Sequence, residues 1–166
     1  MSRPPFRVAP LDAAQHDRST FDCESEPPNR YLQQQATQDA RRRFASCFVA
    51  VADDDGIAGY YTLASSSVSL IDLPADTRKR LPRYPTVPVV RMGRLAVERR
   101  FKGMGLGAAL LADALMRAAH AEIAAHALIV DAKDEAALAF YRHHGLIALP
   151  DAPRTVFLPL ATVRRI

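Results

Sequence analysis

Three glycines spaced by single residues, Gly103, Gly105 and Gly107, follow two cations, Arg100 and Lys102, in the stretch Arg100-Phe-Lys-Gly-Met-Gly-Leu-Gly107. Glycine lets the backbone turn its N–H groups inward and lets an anion approach with no Cβ in the way. Residues 87–97, before this stretch, read as a long strand. Residues 108–120, after it, read as a helix with Leu111, Leu115 and Ala118/Ala119 on one face. A strand that feeds a glycine loop, which in turn opens a helix, offers unsatisfied N–H groups and a partial positive charge at the helix start. With the full charges of Arg100 and Lys102 beside it, the segment at residues 100–107 is a phosphate cradle. It is not a nucleoside-triphosphate loop, because Leu106 rather than a Lys-Ser/Thr pair follows Gly105. Nor is it a dinucleotide fingerprint, which spaces its glycines G-x-G-x-x-G.

The charge distribution points the same way. The net charge is only +4, yet residues 78–102 hold nine Lys/Arg against the single acid Glu98, or +8 over 25 residues, and the remainder sums to −4. So concentrated a basic segment implies a polyanionic partner, either a phosphorylated cofactor or nucleic acid.

The elements that must position these groups are legible in outline. Residues 6–10 alternate like a first strand. A helix pattern follows Pro27–Pro28, with Leu32, Ala36, Ala40 and Phe44 at i+4 spacing and Arg41 to Arg43 near its end, where the helix dipole favours cations. Residues 47–52 and 57–66 form a hairpin across the Asp53–Gly56 turn, whose acidic triplet lacks the spacing and distal Glu of a calcium loop. A short helix is expected within 75–81, a buried strand at 128–131, a helix from Asp134 to His143 closed by Gly145, and a last strand at 155–160. The result is a mixed α/β fold in a single domain spanning residues 1–166, with a right-handed parallel β-α-β unit around the glycine loop.

The bulk properties restrict the class. At 166 residues, 49% of them apolar, the chain can bury its own core. No apolar run reaches the ~20 residues that cross a bilayer. The N-terminal MSRPPFRVAP has no apolar core of a secretory leader. Cys23 and Cys47 lie far apart, in no metal-ligand spacing, and read as small buried hydrophobes of a reduced, cytoplasmic protein. No metal site is expected.

The pattern Arg/Gln-x-x-Gly-x-Gly/Ala, met by Arg100 to Gly105, resembles motif A of the GNAT N-acetyltransferases, whose loop binds the pyrophosphate of acetyl-CoA. Residues 134–146, with Ala137, Tyr141 and Gly145 in the A-x-x-F/L-Y-x-x-x-G-F frame, resemble motif B of that fold. The resemblance implies a central mixed sheet of about six to seven strands with flanking helices and strands 4 and 5 splayed apart. It also implies cofactor binding by Leu95, Ala96 and Val97 on the splayed strand and by Arg100, Lys102, Gly103, Met104, Gly105, Leu106 and Gly107 on the loop. Met92 and Gly93 would lie nearer the acetyl group. Tyr141 takes the place of the family's general acid for the departing thiolate, a role open to a phenol of ordinary pKa ≈ 10. His143 and His144, at a helix end, are left out of the chemistry.

Further fragments are similar to the toxin branch of the family, the TacT-like and AtaT-like enzymes of bacterial toxin–antitoxin pairs. They are FDC at residues 21–23, the helix running to Arg43, GYYTL at 59–63, KRLPRYP at 79–85 and GRLAV at 93–97. That branch acetylates the α-amine of aminoacyl-tRNA and blocks translation. A small antitoxin, often of ribbon-helix-helix type, joins it in a DNA-binding complex, and a homodimer is implied. Glu24 stands where a glycine is expected after Cys23. Arg78, Lys79, Arg80, Arg83, Arg91 and Arg94 are the candidates for tRNA phosphates, alongside Arg41 to Arg43; Arg94 could instead serve a structural ion pair. Phosphate contacts bring affinity and salt dependence without choosing the amino acid. No protein base is evident, and an aminoacyl ester amine needs none, since even a free N-terminus has a pKa of only ≈ 7.7–8.0. Two other readings stay open: acetylation of a small amine or protein N-terminus, and a non-catalytic CoA-binding module. A cationic amine would call for an acidic groove, which the basic segment does not supply.

Overall fold

The computed structural model describes residues 6–163; residues 1–5, within the N-terminal stretch read above, and residues 164–166 lie outside them. The described chain forms a sheet of seven strands in the order β1-β2-β3-β4-β5-β7-β6. It divides into two compact units, one running to Ala64 and taking in Gly93–Ala114, the other made of Ser65–Met92 and the chain from Leu115 onward.

In the first unit, β1 (Arg7–Pro10) pairs antiparallel with β2 (Ser46–Val51), and β2 with β3 (Ile57–Ser69). The turn between β2 and β3 is local chemistry: the Asp54 carboxylate accepts from Gly56 N at 2.9 Å, and Asp55 takes a φ of 65°. The helix after the first strand departs from expectation at both ends. It starts at Glu26, so Pro27 and Pro28 fall in its first turn, where their missing N–H groups cost nothing. It runs as α1 (Glu26–Arg30), a π turn (Tyr31–Gln35) and α2 (Ala36–Arg41). The π turn closes Ala36 N onto Tyr31 O, and Arg18 Nη1 donates to Leu32 O at 3.3 Å. One inserted residue breaks the i+4 stripe. Leu32 and Ala36 are fully buried, whereas Ala40 is exposed and Phe44, beyond the helix, is 74% exposed. Phe21, Tyr31, Leu32, Ala36, Val49, Ile57 and Tyr60 form this unit's core.

The second unit pairs β4 (Thr86–Val97) in parallel with β5 (Ala127–Asp131), and β7 (Ala152–Pro159) antiparallel with both β5 and β6 (Ile147–Leu149). β6 was not legible beforehand, because three residues carry no periodicity. A short α3 covers Ala75–Arg78, inside the expected segment. α5 (Glu135–His143) is capped as its sequence demands: Asp134 Oδ1 accepts from Ala137 N at 2.8 Å, and Gly145 takes a φ of 94° beyond the last turn. Leu73, Val87, Val89, Ala127, Ile129, Leu149 and Phe157 form its core. The β4–β5 register runs from Val89↔Ala127 to Met92↔Val130, while β4 continues as a strand to Val97.

Between β4 and β5 in the chain lies α4 (Leu106–Ala119), which begins two residues earlier than expected and so draws Gly107 into its first turn. Leu106, Leu110, Leu111, Ala114 and Ala118 are its buried positions; Leu115 and Ala119 are half-buried. The start of α4 lies hard against β3. A Cβ on Gly59 would stand 2.9 Å from both Ala96 O and Leu110 Cδ1. Since one of those atoms is backbone, Gly59→Ala is expected to lower unfolding stability by about 1–3 kcal/mol. Urea denaturation against wild type measures it, and an unchanged midpoint would show that the helix start can shift freely.

Candidate acetyl-transfer site

The loop between β4 and α4 is built around one buried carboxylate. Glu98 is 2% exposed, and its N–H donates to Ala58 O at 2.8 Å. Its side chain caps a 3-10 turn at Arg99–Phe101 and accepts from Arg100 Nε at 2.7 Å. Sequence reading counted Glu98 only as the lone acid of a basic segment; its burial and its grip on Arg100 need the fold. Arg100 is thereby fixed on the loop, with Nη2 reaching toward the Asp53–Gly56 turn. Lys102 is fixed too, its Nζ donating to Cys23 O at 3.0 Å and to Glu24 Oε1 at 3.1 Å. Glu24 itself holds a φ of 68°, which accounts for the glycine expected there. Asp22 Oδ1 accepts from Glu24 N at 2.8 Å and helps hold that turn.

Beyond Lys102 the backbone opens. Gly103 and Gly105 take φ values of +80° and +81°, with no atom within 4 Å of where a Cβ would stand. The first N–H of α4 to close on the chain is that of Ala109, onto Gly105 O at 3.1 Å. The N–H groups of Leu106, Gly107 and Ala108 therefore face outward at the positive end of a 14-residue helix. Open space, glycine φ values and orphan donors fit a pyrophosphate. Met104 is 57% exposed beside them.

Upstream on β4, Ala96 is buried and Leu95 and Val97 are half-buried. The buried hydroxyl of Thr62 accepts from Arg94 N at 3.1 Å, and a Cβ on Gly93 would stand 2.9 Å from that oxygen. Met92 is 1% exposed, inside the core. Tyr141, on α5, is 6% exposed with its ring edge-on to Phe140 at 5.3 Å. No hydrogen bond from its hydroxyl occurs among the described residues, and burial pushes the phenol up to about 12. His143 and His144 are exposed, as expected of a helix end. Both cysteines are free and buried, and burial raises the Cys47 thiol to about 12.

The nucleic-acid candidates are placed unequally. Arg78, Lys79, Arg80 and Arg83 are exposed, as are Arg41 to Arg43. Arg91 is half-buried and paired with Asp131 at 2.7 Å. Arg94 lies with its guanidinium 3.5 Å over the Tyr31 ring, whose hydroxyl donates to Asp39 at 2.8 Å.

Residues 11–146 match the model of the Acetyltransferase (GNAT) family, and the chain belongs to that family. It is an acyltransferase whose acetyl donor is acetyl-CoA. Among curated relatives it is 34% identical to the tRNA-acetylating toxin of Mycobacterium tuberculosis (strain ATCC 25618 / H37Rv), covering 96% of this chain and 93% of the relative. It is 29% identical to the probable toxin TacT of Sinorhizobium fredii (strain NBRC 101917 / NGR234), over 95% of this chain and 92% of that protein. AtaT complexed with acetyl-methionyl-tRNAfMet superposes with a TM-score of 0.88 at 29% identity, over 95% of this chain and 96% of that one. A tyrosine-to-phenylalanine mutant of AtaT, bound to the C-terminus of the antitoxin AtaR and to acetyl-CoA, gives 0.81 at 26% identity over 96% of each chain.

Two outcomes follow from this geometry. Glu98→Ala uncaps the turn, so the loop must be ordered as CoA binds, and the Kd in titration calorimetry should rise about tenfold even though Arg100 loses its neutralising partner. An unchanged Kd would show that the loop holds its shape without the carboxylate. The Tyr141 phenol should stay protonated at pH values where a free one, at 10.0, ionises, and should titrate near 12. Because only the unfolded chain loses that proton between those values, this contribution to stability is complete below about pH 10 and is lost as pH rises through about 12. The ultraviolet difference titration of wild type against Tyr141→Phe reads the phenol directly.

Proposed function

We propose that the protein acetylates the α-amine of the amino acid carried on tRNA, acting as a toxin that blocks translation. Its relatives support the acceptor: one is named for acetylating tRNA and another is solved with acetylated methionyl-tRNA. The observation on this chain that carries the reading is the buried Tyr141 phenol, protonated and without a hydrogen-bond partner among the described residues.

Bound acetyl-CoA supplies an activated acetyl thioester to the amine, with a thiolate as leaving group. The chain's part is to hold and polarise. The outward N–H groups of Leu106 and Gly107, with Gly103, Met104 and Gly105 giving them room, bind the pyrophosphate. Arg100 and Lys102, fixed by Glu98, Cys23 and Glu24, flank it. Backbone groups of Leu95, Ala96 and Val97 hold the pantetheine arm, and a β4 N–H polarises the acetyl oxygen. Tyr141 Oη donates its proton toward the departing sulfur. No protein base is required, since the ester makes the aminoacyl amine more acidic than a free N-terminus of pKa ≈ 7.7–8.0 and so leaves much of it unprotonated near neutral pH. Arg78, Lys79, Arg80 and Arg83 bind tRNA phosphates. Arg91 and Arg94 contribute in the same way, their existing contacts fixing where their charges sit.

The whole chain works as one domain, and as a homodimer in the cytoplasm. No helix among the described residues is long and apolar enough to cross a membrane. A small antitoxin of ribbon-helix-helix type binds the enzyme and carries it to DNA; the antitoxin is supported by the neighbour solved with AtaR, and the DNA by the AtaT–AtaR complex solved bound to DNA.

The test is transfer of label from acetyl-CoA to a pool of charged tRNAs by wild type and Tyr141→Phe. Wild type should label aminoacyl-tRNA, and the variant should lose ~100-fold or more in kcat while binding acetyl-CoA as before. No label on any aminoacyl-tRNA, with acetyl-CoA still bound, would remove the proposed acceptor. Equal rates would remove the role of Tyr141.

A further inference from the structure

The segment at residues 78–85 carries an aromatic ring that the phosphate contacts do not explain. Arg78, Lys79, Arg80 and Arg83 are exposed, and Tyr84 beside them is 70% exposed. Lys79, Arg80 and Arg83 enter no ion pair among the described residues. The ring rises from a backbone held on both sides. Leu81 packs against the core of its unit, Val87 is buried, and Pro85 O accepts from Leu70 N at 3.0 Å. Pro82 and Pro85 flank Arg83-Tyr84 and fix their own φ angles. Little ordering entropy remains to oppose binding there.

We propose that Tyr84 stacks on an unpaired nucleotide of the tRNA 3′ end, with Arg80 and Arg83 on the neighbouring phosphates. The proposal rests on the tRNA-acetylating reading above and extends it to how the acceptor end is held. A nucleotide chain alternates a flat π face with an anion, and residues 80–84 offer the complementary pair of ring and cations. Four cations within six residues disfavour an apolar protein partner for the same ring. A duplex hides its base faces, so the free ring selects unpaired nucleotides. A charged tRNA carries its amino acid on just such an unpaired end, and gripping it brings the ester amine under control.

The measurement is fluorescence anisotropy with two probes, an uncharged tRNA and the same tRNA trimmed of its unpaired 3′ nucleotides. It uses the full-length wild type, Tyr84→Ala and Tyr84→Phe. On intact tRNA, Tyr84→Ala should raise Kd about tenfold or more, while Tyr84→Phe, which keeps the π face, stays within about twofold of wild type. On trimmed tRNA the three proteins should bind alike. Thermal melting and acetyl-CoA binding of Tyr84→Ala should match wild type, as befits an exposed ring. Equal binding of intact tRNA by Tyr84→Ala and wild type would overturn the stacking role, and so would an equal loss on the trimmed probe. A wild type that binds acetyl-CoA but neither tRNA would overturn the acceptor itself, and the stacking role with it.

Discussion

A helix cannot satisfy its own first N–H groups, and the loop between β4 and α4 is arranged around leaving those of α4 unsatisfied. Ala109 is the first residue of α4 whose N–H closes on the chain, so the donors before it need an outside acceptor. Keeping them open requires that no side chain or neighbouring turn take their place. The sequence meets that need with Gly103 and Gly105 in the left-handed region. It also requires a helix start that does not wander. Gly59 lets Leu110 and Ala96 O come close enough to fix it, and the buried Glu98 sets the turn that leads into the loop.

The loop cations fit this arrangement in a way their number alone would not suggest. Arg100 and Lys102 each meet a carboxylate already, Glu98 and Glu24 respectively. Paired charges in largely exposed positions attract an anion weakly through solvent. On the proposed reading, the specific recognition of a pyrophosphate therefore falls to the backbone donors and the helix dipole, whose geometry is set by the fold. On the same reading, long-range attraction of a polyanion falls instead to the exposed cations of residues 78–83, which have no such partners among the described residues. One basic segment in the sequence is thus two devices in the structure, one neutralised and geometric, the other charged and open.

How much of this could be read in advance depends on whether the determining contacts are local. The glycine loop was legible because its chemistry lies in consecutive residues. The caps of α5 were legible because Asp134 and Gly145 act within a few positions of the helix they bound. The first helix was placed only roughly. Its π turn at Tyr31–Gln35 shifts the buried face by a residue, and no side-chain pattern announces that insertion. β6 escaped for lack of length. Glu98 escaped because its role depends on burial, and the partner of Lys102 because Glu24 lies 78 residues away in the chain. The odd Glu after Cys23 did leave a trace. A glycine was expected there, and the structure shows a left-handed backbone carrying a side chain that anchors the phosphate loop.

The raised phenol of Tyr141 constrains what kind of acid it can be. A group near 12 holds its proton about three and a half pH units more tightly than a thiol, which titrates near 8.5. Handing that proton outright to a thiolate would leave a phenolate in the apolar surroundings that raised its pKa, a change opposed on both counts. Attack by an amine, however, releases a proton of its own as the amide forms. If Tyr141 gives one proton toward sulfur as another arrives to replace it, the phenol is never left charged, and its burial becomes an asset: the hydroxyl stays protonated at every working pH, with no competing partner among the described residues. A buried, neutral donor kept full from the acceptor's side also removes the need for a dedicated protein base. The acceptor amine then supplies both the nucleophile and the proton that balances the reaction.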